Sequence, residues 1–324
     1  GSAGFSSTYY NQGSLNNKGV EFSLNAQVID SSSWKWSVSG NIGVNRNEIS
    51  DLGLLPADFG CLGERVGYYG NSLGDHFGVG HIFLAGEAPG LFYGYVTQGI
   101  VQKEDITENG IKYIKQDGSV GYYQTVNKTT PVAGDVKYVD RNGDGVVDDN
   151  DRDIIGNPNP DFTYGFQTKV SWKSLSLSAS FNGVQGRDIL NVGTRYNNTP
   201  GTKSNNVTRK AFQNMWTDEN PSNLYPKSTF VVQNMVMDRY VEDGSYLRCS
   251  DITLSYVLPA KWTNKIGIKN TSVYASVKNA FVITDYSGYD PEVNSFAFDG
   301  LRPGVDMNSY PTPRSFVFGL NLTF

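Results

Sequence analysis

The sequence predicts an all-β fold: an antiparallel transmembrane β-barrel segment of about seven strands with long extracellular loops. Three observations predict it. Apolar and polar residues alternate with a period of two in seven stretches, and the connections between those stretches alternate between short and long. No stretch approaches the roughly 18 consecutive apolar residues that a membrane helix needs. Composition agrees. Aromatic residues make up 13% of the 324 residues and glycine numbers 36, which favours strands joined by turns. Hydrophobic content is an ordinary 38%, so membrane insertion has to rest on one-sided strands.

The first strand, from Gly19 to Ile29, places Val20, Phe22, Leu24, Ala26 and Val28 on one face and Glu21, Ser23, Asn25 and Gln27 on the other. After a turn at Asp30-Ser31-Ser32-Ser33, the second carries Trp34, Trp36, Val38, Gly40, Ile42 and Val44 against Lys35, Ser37, Ser39, Asn41 and Asn45. A second hairpin follows. Phe162, Tyr164, Phe166, Val170 and Trp172 precede Leu175, Leu177, Ala179 and Phe181, with only Lys173-Ser174 between them. The fifth strand shows Ile252, Leu254, Tyr256 and Leu258 after Tyr246-Leu247-Arg248, the sixth Val273, Ala275, Val277 and Phe281, and the last Phe316, Phe318, Leu320, Leu322 and Phe324. Trp34, Trp36, Tyr164 and Trp172 lie near strand ends, where an aromatic girdle would meet the lipid interface.

The joins at 30–33, 173–174 and 259–269 are short, whereas 47–160, 187–245 and 284–313 are long. This is the grammar of periplasmic turns and extracellular loops. With the last strand ending on the periplasmic side, the first runs inward and residues 1–17 lie outside. Seven strands do not close a single-chain bacterial barrel, so further strands are expected from other sequence or from a partner chain. The opening Gly1-Ser2-Ala3-Gly4 has neither Met nor a secretion signal and reads as a processed or partial start.

Other function classes find little support. A net charge of -5 with scattered Lys and Arg argues against nucleic acid as a partner. Cys61 and Cys249 allow one disulfide in an oxidising compartment but no zinc site. His76 and His81 sit in a Gly-rich loop without a nucleophile or base around them, and Asp218 and Glu219 read as solvent-facing, so no enzyme is expected.

The first long loop holds a twelve-residue pattern, Asp140 to Asp151, that fits a calcium loop. Asp140, Asn142, Asp144, Asp148 and Asp151 offer side-chain oxygens at relative positions 1, 3, 5, 9 and 12, and Val146 offers its carbonyl at position 7. Gly145 supplies the sharp turn. Asp151 stands where Glu is usual, which favours a structural Ca2+ over a switch, and Arg152 to Pro158 does not read as a helix. In the second long loop, Ser204 to Trp216 reads as a capped helix with Val207, Ala211, Phe212 and Met215 on one side. Tyr93, Tyr95, Tyr122, Tyr123, Trp216 and Tyr225 are candidate substrate-binding aromatics that would stack on sugar rings or peptide side chains, or else pack the loops.

Several stretches, in order along nearly the whole chain, resemble the SusC/RagA family of TonB-dependent transporters of Bacteroidota. They include Asn17-Lys18-Gly19-Val20-Glu21-Phe22, Trp34-Lys35-Trp36, Gly94-Tyr95-Val96-Thr97-Gln98-Gly99-Ile100 and Gly134-Asp135-Val136-Lys137-Tyr138-Val139-Asp140. Ile154-Ile155-Gly156-Asn157-Pro158-Asn159-Pro160-Asp161-Phe162, Gly244-Ser245-Tyr246-Leu247-Arg248, Tyr286-Ser287-Gly288-Tyr289-Asp290-Pro291-Glu292 and Gly319-Leu320-Asn321-Leu322-Thr323-Phe324 continue the series. The resemblance implies a barrel of about 22 strands, with a plug and a TonB-contact segment that this sequence lacks. It also implies import of oligosaccharides or peptides across the Gram-negative outer membrane under a SusD-like surface lipoprotein. Residues 1–324 would then be the C-terminal part of the barrel, embedded in outer-membrane lipid, with Phe324 as an assembly signal. The competing expectation is a secreted calcium-binding all-β protein of carbohydrate-binding or structural kind, which would be soluble without detergent.

Overall fold

A computed structural model describes residues 13–53, 67–70, 73, 78–199, 206–228, 235–263, 268 and 270–323. Seven strands form one antiparallel sheet in sequence order: β1 (Ser14–Asp30), β2 (Trp34–Asp51), β3 (Phe162–Trp172), β4 (Leu175–Gln185), β5 (Tyr246–Val257), β6 (Asn270–Thr284) and β7 (Ser315–Thr323). All seven predicted strands are present. β1 and β2 run longer than their alternating patterns, with pairing that extends to Leu15↔Ile49, so the first long loop starts after Asp51 rather than at 47. Backbone hydrogen bonds set strand length there, and they persist after the side-chain alternation has ended.

Register explains why the alternation matters. Following partners from β2 to β7, Trp34, Trp172, Leu175, Tyr256, Val273 and Leu320 lie in one row. The next rows hold Trp36, Val170, Leu177, Leu254, Ala275 and Phe318, then Val38, Thr168, Ala179, Ile252, Val277 and Phe316. The interleaved rows are polar, as in Ser39, Gln167, Ser180, Asp251, Lys278 and Ser315. A one-residue slip would exchange the two faces, so a single register keeps apolar with apolar. On the polar face Lys278 Nζ meets Asp251 Oδ2 at 2.7 Å, and the Ser276 and Thr253 hydroxyls donate to the same carboxylate.

The apolar face is bare. Phe22, Leu24, Phe166, Leu177, Leu254, Phe316 and Phe318 are all exposed. Trp34 and Trp172 pair at the short-turn end, ring centroids 6.0 Å apart, as an aromatic girdle requires. Toward the other end the Tyr164 ring crosses Gly183 so closely that a Cβ there would lie 2.3 Å from it. Glycine is needed at that crossing. Phe324 and Cys61 lie outside the described residues, and Cys249 is a buried free thiol set between the cross-strand partners Phe181 and Phe281.

The three long connections are not open loops. They carry short strands of their own and meet in one core that includes Phe92, Tyr95, Ile111, Tyr113, Tyr123, Tyr138 and Val147 from the first, Leu190, Met235, Met237 and Tyr240 from the second, and Val305 from the third. Tyr95 N donates to Val236 O at 2.8 Å and Leu190 N to Gly304 O at 2.9 Å, joining first to second and second to third. The helix expected over 204–216 is shorter. It spans Arg209–Asn214, with Thr208 Oγ1 accepting from Ala211 N as its cap. Only Ala211 of its expected apolar side is buried, and Phe212 is exposed. Met215 leaves the helix to bridge Tyr225, and residues 200–205 are outside the described set.

Candidate functional site

The acidic loop sits at the edge of this cap. Gly143 and Gly145 take φ of +76° and +86°, a region that side chains rarely adopt, and thereby turn the chain back over Asp140. Both Asp140 oxygens then accept backbone N–H groups, from Gly143 at 2.6 Å and Gly145 at 2.9 Å. Asp151 closes the loop from the other side. Its Oδ1 accepts from Arg141 N at 2.7 Å and Asn142 N at 3.2 Å, and its Oδ2 from Asp148 N at 2.9 Å. Asn142 Oδ1 takes Asp144 N, Asp144 Oδ1 takes Val146 N and Asp148 Oδ1 takes Asn150 N, each at 2.9 Å.

The following residues form the strand Arg152–Gly156, paired antiparallel with Leu91–Tyr95, so this is a loop without a following helix, as the sequence indicates. Tyr113 Oη donates to the Asp140 carbonyl at 2.6 Å, and Tyr95 Oη to Asp149 Oδ1 at 2.9 Å. Burial pushes the Tyr113 hydroxyl up to about 12, with Asp140 and Asp151 adding to the effect. Burial also raises the Asp151 carboxyl against the pull of its three N–H donors, and the nearby Asp140 charge adds to the rise.

The loop offers only oxygen donors, which suits a hard cation. Asp140 and Asp151 are both buried, and no Lys or Arg pairs with Asp140, Asp144, Asp148 or Asp151 among the described residues. Two buried like charges with no Lys or Arg in ion-pair contact among the described residues fit a cation, with the Lys115 ammonium lying beside Gly143. No group of three or more His, Cys, Asp or Glu side chains among the described residues is gathered as a metal cluster, because the carboxylates close on the loop's own backbone.

The candidate aromatics do not form one exposed patch. Tyr93, Tyr95, Tyr123, Trp216 and Tyr225 are buried, and only Tyr122 is exposed. Tyr93 and Tyr95 lie under the Arg152 guanidinium, at 4.7 and 5.8 Å from their ring centres. Tyr123 Oη accepts from Tyr138 N, and Trp216 Nε1 donates to Gln102 Oε1 at 3.0 Å. His76 is outside the described residues. His81 is fully buried beside Phe92, with its Nε2 3.1 Å from the Pro303 carbonyl, and burial pulls it down to about 4. It holds the first loop to the third.

Two of the sequence stretches quoted above, whose partners local pattern did not reveal, meet where the cap joins the sheet. Arg248 Nη2 lies 2.5 Å from Asp290 Oδ1 and its Nε 3.3 Å from Glu292 Oε1, with the first pair almost fully buried. Tyr246 Oη and Asn182 Nδ2 donate to the same Glu292 oxygen at 2.8 and 2.9 Å, and Arg187 Nη2 donates to the Pro291 carbonyl at 2.6 Å. Strand-end residues of β4 and β5 thus grip the third loop by charge-assisted bonds. The signal available in the sequence was an Arg on a strand and two carboxylates in a loop, forty residues apart, with nothing local to join them.

No protein-family model matches the chain. It is 31% identical over 330 residues to TonB-dependent receptor P26 of Formosa agariphila, a match that covers 99% of the chain and 30% of that receptor. It is also 31% identical over 322 residues to TonB-dependent receptor SusC of Bacteroides thetaiotaomicron, covering 97% of the chain and 27% of SusC. Its fold matches the RagAB peptide transporter with a TM-score of 0.70 and 26% identity, over 99% of this chain and 31% of that one. The chain spans about 30% of the length of the curated relatives it matches. Register, faces, cap and sequence agree along its length, and the chain belongs to the SusC/RagA family of TonB-dependent receptors as a segment of their antiparallel β-barrel.

Proposed function

We propose that the chain forms part of the wall and the extracellular mouth of an outer-membrane transporter that imports oligosaccharides or peptides, energised through TonB and working with a SusD-like lipoprotein. The observation that carries this reading is a single sheet with one bare apolar face and one polar face, capped at one end by its three long connections. Lipid covers such an apolar face, and the polar face lines an aqueous interior. The rest of the receptor supplies the strands beside β1 and β7, the plug and the TonB contact. Among the candidate aromatics Tyr122 is the one whose ring is free to meet a ligand, while the buried five shape the cap around it.

The reading is tested with cells that carry or lack the full-length receptor, offered labelled oligosaccharides and labelled peptides. One class enters only with receptor and TonB present. Equal uptake with and without the receptor would overturn the proposal, and a receptor that stays soluble without detergent would favour the secreted alternative.

The acidic loop enters the same proposal as a structural calcium site. Asp140, Asn142, Asp144, the Val146 carbonyl, Asp148 and Asp151 would hold the ion, which supplies the positive charge that the two buried carboxylates lack. Chelation is expected to leave the sheet intact and to expose the 140–151 segment to protease. Equal protection with and without chelator would defeat this part.

A further inference from the structure

Three Asn-Gly dipeptides occur in the described residues, in three different settings. Asn-Gly is the dipeptide most open to spontaneous deamidation, because glycine leaves its own nitrogen unshielded. The Gly nitrogen loses its proton and bonds to the Asn Cγ, the Cγ–Nδ2 bond breaks, and ammonia leaves with the proton. Water then opens the cyclic imide at either carbonyl, giving aspartate or isoaspartate. The reaction needs no partner beyond water. It does need a side-chain amide free to swing its Cγ onto the Gly nitrogen.

Asn109 sits in an exposed hairpin turn and its side chain makes no hydrogen bond among the described residues, while the half-exposed Gly110 pairs with Thr107 and opens the strand that follows. Asn182-Gly183 is locked. Both residues lie in β4, paired on both sides, and Asn182 Nδ2 is held by Glu292 Oε1 at 2.9 Å. Asn142-Gly143 is as exposed as Asn109, yet both reacting groups are tied. Gly143 N donates to Asp140 Oδ1 at 2.6 Å. The Asn142 amide accepts from Asp144 N at 2.9 Å and donates to Asp144 Oδ2 at 3.0 Å. Attack requires the amide to leave both bonds and Gly143 to leave Asp140, which means that the loop has to open.

We propose that Asn142 is a deamidation site guarded by the closed acidic loop, so that prolonged opening of the loop becomes irreversible. Isoaspartate at this position inserts a methylene into the backbone. It breaks the spacing that lets Asp140, Asp144 and Asp151 close on neighbouring N–H groups. The loop then cannot re-form.

The test uses the full-length receptor in detergent, aged at mildly alkaline pH and followed by peptide mass spectrometry, with the Asn109 and Asn182 peptides as internal references. Asn109 is expected to convert several-fold faster than Asn142 in the native receptor, with Asn182 unchanged. Asp140→Ala, which removes the acceptor of Gly143 N and leaves the Asn142–Asp144 bonds, is expected to raise the Asn142 rate toward that of Asn109. Because that variant can fail to fold, the urea-unfolded wild-type receptor serves as a second arm, in which Asn142 and Asn109 convert at comparable rates. Conversion of Asn142 as fast as Asn109 in the native receptor would overturn the proposal, as would an Asn142 rate unchanged by unfolding.

Discussion

The sheet and the cap use aromatic residues in opposite ways. On the sheet Phe22 is 61% exposed and Phe318 80%, whereas in the cap Phe92 is 0% exposed and Tyr138 1%. The cap obeys the rule for water-soluble domains, in which apolar side chains meet each other. The sheet follows the rule expected of a lipid-facing surface, in which apolar side chains touch only their neighbours along the face and no core covers them, while interior backbone groups are paired within the sheet. One chain therefore presents two solvents' worth of folding logic, with the Arg248–Asp290–Glu292 cluster at the seam.

The sharpest way to break this comparison is a truncation in each region. Phe92→Ala in the cap core is expected to cost about 3–5 kcal/mol, and Phe318→Ala on the sheet far less, because no cavity forms. Urea titrations in detergent check the pair, and equal losses would mean that the sheet face is covered by protein. Removal of one partner at the seam comes next. Asp290→Ala leaves the buried Arg248 charge with only the longer Glu292 contact, with an expected cost of about 2–3 kcal/mol, read as protease access to residues 284–313 with the sheet intact.

A charge placed on each face gives a third contrast. Leu177→Arg on the apolar face should cost about 2–4 kcal/mol in lipid, and Ser178→Arg on the polar face within about 0.5 kcal/mol. Reversal of that order would invert the assignment of the faces. The last contrast concerns acid. His81 is pulled from its ordinary 6.5 to about 4 by burial, so between those values the unfolded chain binds the additional proton. Cap stability should be complete above about pH 6.5, fall by up to roughly 3 kcal/mol as pH drops toward 4, and change no further from this group below that. His81→Gln should flatten this limb while leaving the sheet's acid response unchanged.

The sheet was legible in the sequence because its rule is local. Residues 20, 22 and 24 already disclose which face is apolar, and the loop lengths disclose which strands are neighbours. The acidic loop was legible for the same reason, since its oxygens and glycines fall within twelve residues. The cap was not. Tyr93, Tyr95, Tyr123, Trp216 and Tyr225 look alike in sequence whether they await a ligand or fill a core, and only tertiary packing, which puts Tyr95 and Tyr123 in the core shared by the three loops and Tyr93 in a cluster of the first, buries them. The helix expected over 204–216 is present but shorter, because Thr208 caps it ahead of Arg209 and the pairing of Met215 with Tyr225 ends it at Asn214.

Period, turn length and motif spacing by themselves determined the seven strands, their faces and the candidate cation loop, because each is written within a few residues of itself. Tertiary structure alone decided that three distant loops share one core and that Arg248 grips Asp290 and Glu292. Those contacts join residues far apart in the chain, and burial depends on which partners arrive rather than on which residue waits for them.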